Sequence, residues 1–85
     1  MKVTVYTKGG CPFCVKAKRL LTNEGIAFRE VNLEHQERDV VDALIAKTNY
    51  RKVPQIFIGG EFIGGFTELE AKHMNGELND LKPID

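Results

Sequence analysis

The sequence predicts an α/β fold: a mixed four-stranded sheet packed against three helices, in the order β-α-β-α-β-β-α. Three observations predict it. Stretches rich in β-branched and aromatic residues take turns with stretches whose apolar residues recur at helical spacing. The first two strands are joined through a helix, which makes them parallel by a right-handed crossover. The last two meet at Gly59-Gly60, a hairpin dipeptide, which makes them antiparallel.

Residues 2–7, Lys-Val-Thr-Val-Tyr-Thr, read as the first strand, and Lys8-Gly9-Gly10 as a loop. A helix follows from Pro12, with Ala17, Leu20 and Leu21 at helical spacing. Proline suits the first turn because its missing N–H has no partner there. Gly25 is a stop signal. Ala27 to Leu33 reads as the second strand. The second helix lies between about Gln36 and Thr48, where Val40, Val41, Leu44 and Ile45 form one stripe. Val53 to Ile58 is the third strand, with Pro54 at its start, where a lost ladder bond is tolerable. Glu61-Phe62-Ile63 is the fourth, broken by Gly64-Gly65. Thr67-Glu68-Leu69-Glu70 has the form of a capping box and opens the third helix, which Gly76 interrupts or ends. The tail to Asp85 is open.

Length and charge narrow the function. The 85 residues form one domain, 1–85, with a modest core. Twelve basic residues balance twelve acidic ones, which argues against a general nucleic-acid binder. No apolar run approaches the roughly 18 residues that span a bilayer. Residues 1–6 alternate like a strand and lack the apolar core of an export signal. The expected location is cytoplasmic, where thiols are kept reduced and a cysteine pair is reactive or metal-bound more often than structural.

Both cysteines fall in "CPFC", Cys11 and Cys14, between the first strand and the first helix. A thiol attacks as the thiolate, and a free thiol pKa of about 8.5 leaves little thiolate at neutral pH. A helix N-terminus favours the anion through its unpaired N–H groups. Cys11 stands at or beside the cap and is the expected nucleophile. Cys14, in the first turn, is the expected resolving thiol. Zinc needs two further ligands, and the remaining histidines, His35 and His73, are 38 residues apart. A structural disulfide over so short a loop constrains the unfolded chain little. A redox pair is the reading that a Cys-x-x-Cys beside a β-α-β pattern favours. Lys16, Lys18 and Arg19 read as a solvated helix face, whereas Lys8 precedes the nucleophile and is a candidate for a functional role.

"CPFC" after Thr7-Lys8, "KVPQIFI" (52–58) and "IGGFTEL" (63–69) together resemble the dithiol glutaredoxins of the thioredoxin fold, over Val3 to about Leu81. The resemblance implies a glutathione-dependent thiol–disulfide oxidoreductase that reduces protein disulfides and glutathione mixed disulfides. It implies glutathione as co-substrate, no tightly bound cofactor, no metal, and a monomer. Disulfide-bearing protein clients, ribonucleotide reductase among them, are implied as partners. It also implies a cis Val53-Pro54 bond facing Cys11. Phe13 packs on the ligand in this reading, and the backbone of Val53 pairs with its cysteinyl part like an added strand. The γ-glutamyl carboxylate falls at the start of the third helix, at Gly65, Phe66, Thr67 and Glu68. Lys8, Lys52 and Pro54 complete the implied site.

Three residues depart from the family pattern: Phe13 where tyrosine is common, Lys52 where threonine is frequent, and Glu68 where aspartate is common. Lys52 fits either the glycyl carboxylate or ordinary surface. Two other readings stand beside the first. One is a thioredoxin-like redoxin, supported only by Phe13 and Lys52. The other is a non-catalytic carrier of a metal or iron–sulfur cluster, which the second cysteine and Pro12 count against.

Overall fold

The alternation along the first strand organises the centre of the molecule. In the computed structural model, which describes residues 1–82, β1 is Val3–Thr7. Val3, Val5 and Thr7 are buried, while Thr4 and Tyr6 are half-buried. Successive side chains of a strand point to opposite faces, so β1 contributes to packing on both. After it come α1 (Pro12–Asn23), β2 (Arg29–Asn32), α2 (Arg38–Thr48), β3 (Gln55–Ile58), β4 (Glu61–Gly64) and α3 (Phe66–Met74). This is the predicted order, with single 3-10 turns added at Leu33–His35 and Asn79–Leu81. The rest of the open tail, from residue 83, lies outside the described residues.

The strand order is β2-β1-β3-β4. β1 and β2 are parallel, and β1–β3 and β3–β4 are antiparallel. The hairpin between β3 and β4 turns on Gly59 and Gly60, with φ of 60° and 84°. Two successive positive φ values suit a two-residue hairpin loop, and glycine meets them without steric cost.

On one face, Val3, Val5 and Ile56 pack against Ala17 and Leu21 of α1, Leu69 of α3, and Ile26 and Leu78. Leu21 is fully buried, which contributes about 1.5–3 kcal/mol. A smaller core of Leu33, Leu44 and Phe57, with Tyr6 beside it, joins the other face to α2. Among the described residues no helix is long and apolar enough to cross a membrane.

Several boundaries differ from expectation. β2 is confined to the four residues that pair with Thr4–Thr7 of β1. α2 starts at Arg38, after Glu37 at its cap. β3 starts at Gln55, so Val53 and Pro54 stand outside the ladder, just ahead of it. Gly64 does not break β4 but pairs with Ile56. The expected Thr67/Glu70 box does not form, because the cap of α3 is Gly65 and the helix begins at Phe66. Glu68 at the third helical position turns back, and its Oε1 accepts from the Gly65 amide at 2.7 Å. The carboxylate half of a capping box is therefore present, two residues earlier than predicted.

Candidate active site

The loop from Thr7 to Cys11 is anchored on the neighbouring strand and the turn after it. Thr7 is buried, and its hydroxyl donates to Glu30 Oε2 on β2 at 2.8 Å. The Gly9 amide donates to Glu34 Oε1 at 2.8 Å. Lys18 Nζ lies 3.1 Å from the same Glu30 oxygen that Thr7 reaches. The Thr7 hydroxyl first, and Lys18 second, hold the Glu30 carboxyl below the usual carboxylate range, against the opposing cost of burial.

Cys11 is the N-cap of α1, and its Sγ accepts from the Cys14 amide at 3.1 Å. No acidic side chain stands in the first turn to oppose a negative sulfur there. Cys11 is half-buried, whereas Cys14 is 2% exposed. The two are joined as a disulfide, with Cα atoms 5.2 Å apart. The sulfur that solvent reaches is thus the one at the helix terminus.

Val53-Pro54 is cis, as the resemblance implied. The Val53 carbonyl oxygen lies 3.7 Å from Cys11 Sγ. From there a cleft of about 210 Å³ runs between Phe13, Lys52, Val53, Pro54 and the start of α3, where Phe66, Thr67 and Glu68 line it. Phe13 is 53% exposed, lies 6.1 Å from the Phe66 ring, and carries Lys16 Nζ 5.1 Å above its centroid. The amides of Phe66, Thr67 and Glu68 fall in the first turn of α3, where helix geometry leaves N–H groups without partners. An anion at that end of the cleft meets both the amides and the helix dipole.

The glutaredoxin family model matches residues 3–63. Glutaredoxin-1 of Sus scrofa is 42% identical, over 91% of this chain and 77% of its own length. A buckwheat glutaredoxin solved as a glutathione complex superposes with a TM-score of 0.83 at 34% identity, over 93% of this chain and 74% of that one. The hybrid peroxiredoxin hyPrx5 of Haemophilus influenzae is 48% identical over 80% of this chain, which spans only 27% of that longer protein. The chain belongs to the glutaredoxin family. With a Cys11–Cys14 pair in that fold, its chemistry is thiol–disulfide exchange.

Of the residues expected at a glutaredoxin site, Phe13, Lys52, Val53, Pro54, Phe66, Thr67 and Glu68 all line the one cleft. Gly65 lies beneath it, buried at the cap of α3. Lys8 does not line the cleft and is exposed in the loop before Cys11. Lys16, read as solvated surface, instead covers Phe13. Lys18, also read as surface, is spent on Glu30. The sequence reading missed Tyr50, which lines the cleft, and Glu34, which fixes the loop. The available signal for Tyr50 was an aromatic residue with a polar tip set among Asn49, Arg51 and Lys52, immediately before Val53-Pro54. Among the described residues no three His, Cys, Asp or Glu side chains gather as a metal site.

Proposed function

We propose that this chain is a glutathione-dependent oxidoreductase that reduces glutathione mixed disulfides and protein disulfides. The observation that carries the reading is a single cleft that begins beside Cys11 at Val53 and ends on the N-terminus of α3. That arrangement suits a short extended peptide whose thiol reaches Cys11 and whose carboxylate reaches the amides of α3. The buckwheat relative's glutathione complex supports the same reading.

The steps follow from the two sulfurs. In the monothiol route, the Cys11 thiolate attacks the glutathione sulfur of a mixed disulfide. The client sulfur leaves as a thiolate and takes a proton from water. Cys11 then carries glutathione, and the thiolate of a second glutathione attacks that glutathione's sulfur. Oxidised glutathione departs and the Cys11 thiolate is restored. In the dithiol route, Cys11 attacks a client disulfide and becomes bonded to one client sulfur, releasing the other. The Cys14 thiolate attacks Cys11, which frees the second client thiol and leaves the Cys11–Cys14 disulfide. Two glutathiones reduce it again. Disulfide-bearing proteins, with ribonucleotide reductase as one candidate, are the proposed clients.

In this reading Val53 aligns the cysteinyl part of glutathione through its backbone, Phe13 packs on it, and Gly65 to Glu68 receive its γ-glutamyl end. Lys52 and Lys8 contribute positive charge. The test is reduction of a glutathione mixed disulfide, coupled to glutathione reductase. Robust turnover is expected. No turnover there, with full turnover when thioredoxin reductase supplies electrons, would overturn the glutathione assignment.

A further inference from the structure

Tyr50 stands three residues before Val53, and its backbone is held from two sides. Its carbonyl oxygen accepts from Gln55 Nε2 at 2.6 Å and from Thr48 Oγ1 at 3.4 Å. Gln55 is itself 1% exposed, so this tie is internal. The ring packs on Phe62 with centroids 5.4 Å apart. Backbone and ring together direct the hydroxyl toward the cleft, which Tyr50 lines with Phe13, Val53 and Thr67.

The hydroxyl ends close to the cap of α3. A Cβ placed on Gly65 would lie 2.9 Å from Tyr50 Oη and 3.3 Å from the Pro54 carbonyl oxygen. Among the described residues Oη takes part in no hydrogen bond, and Gln55 Oε1 is the sole buried side-chain polar atom left without a partner. The phenol is therefore an open donor at the cleft. A phenylalanine would fill the space against Phe62 equally well, so packing does not explain the oxygen. Tyr50 is half-buried, so a ligand that fills the cleft would cover the phenol, and a covered phenol ordinarily takes a hydrogen-bond partner.

We propose that Tyr50 is a specificity-determining residue that donates a hydrogen bond to the carboxylate seated on the N-terminus of α3. The inference rests on the glutathione reading above, in which that carboxylate is the γ-glutamyl one. The hydroxyl ends near Gly65, whose amide already donates to Glu68 Oε1. It adds recognition at the end of the ligand away from the reacting sulfur. The hydroxyl therefore acts on binding, in ground state and transition state alike, and leaves the chemical step alone.

The experiment compares wild type with Tyr50→Phe, which keeps the ring and its packing. Two substrates are used: the mixed disulfide of cysteine with glutathione, and its analogue with the γ-glutamyl α-carboxylate converted to a primary amide. The expected result is a rise in KM of about tenfold for the natural substrate, as one hydrogen bond to a charged group would give. The kcat should stay within about twofold, and the two proteins should be equally poor on the amide. Equal KM values for both proteins on the natural substrate would overturn the inference while the wild type still discriminated against the amide. An equal rise on both substrates would overturn it too, since the hydroxyl would then act elsewhere. A wild type indifferent to the carboxylate would overturn the glutathione reading and this inference together.

Discussion

The Cys14 amide donates to Cys11 Sγ at 3.1 Å, so the cap of α1 is the sulfur proposed as the nucleophile. A cap serine or aspartate ordinarily accepts such a bond through oxygen. Here a sulfur accepts it, and the bond strengthens when that sulfur is negative. In the reduced protein Cys11 should react with iodoacetamide at neutral pH faster than a free thiol, and stay reactive at lower pH. Mass-spectrometric rates for each cysteine across a pH series would measure this. A Cys11 profile matching that of a free thiol would mean that the helix terminus does not activate it.

The two sulfurs differ in burial, and the proposed mechanism gives them different roles. Cys11→Ser should abolish all turnover, because the one thiol that remains, Cys14, is buried. Cys14→Ser should keep reduction of glutathione mixed disulfides, within a few fold, and lose reduction of protein disulfides by the dithiol route. Both activities can be followed by consumption of NADPH through glutathione reductase. Loss of both in Cys14→Ser would show that Cys14 does more than resolve.

Gly64 couples the sheet to the end of the cleft at the start of α3. Its φ is 120°, and a Cβ there would fall 2.6 Å from Glu68 Cγ. Gly64→Ala should therefore strain the backbone and push away the side chain that caps α3. A loss of about 1–3 kcal/mol in unfolding free energy is expected. Urea unfolding measures the first effect, and the KM for a glutathione mixed disulfide reads the second, which should rise. Gly60→Ala is the control, since a Cβ at Gly60 meets nothing within 4 Å. It should cost stability through its φ of 84° and leave KM unchanged. If Gly64→Ala left KM where it was, Glu68 would have no part in binding.

Much of this site was legible because it is local in sequence. Cys-Pro-Phe-Cys fixes a helix start, and a helix start fixes which sulfur is the cap. The hairpin and the parallel crossover also follow from short-range signals, Gly59-Gly60 and an intervening helix. The order of strands was not legible, since nothing local says that β3 lies beside β1. The cap of α3 was misplaced for a related reason. Thr67 has the cap-forming side chain, but Gly65 and the reach of Glu68 settled the helix start two residues earlier. Tyr50 escaped because its proposed role depends on Gly65, fifteen positions on, which only the fold brings near it. Glu34 escaped likewise, since its partner, Gly9, is 25 positions away.

The Glu30 carboxylate ties β2 to the strand that leads into the cysteine loop, and its titration offers a last test. Thr7 and Lys18 hold its carboxyl below the usual range in the folded protein. An unfolded glutamate titrates near about 4.3. A group with a lowered folded value contributes stability that is complete above the unfolded value. That contribution is lost as pH falls through the folded value, because the unfolded chain takes up the proton first. Glu30→Gln removes the charge while keeping an acceptor for the Thr7 hydroxyl. Wild type should therefore be more stable than Glu30→Gln at neutral pH, with the gap shrinking as pH drops below about 4. Glu24, held low chiefly by its hydrogen bond with Lys82, titrates in both proteins and cancels from the difference. Paired urea unfolding curves at each pH would measure the gap. A gap constant down to the acid limit would mean that the charge on Glu30 contributes nothing to stability.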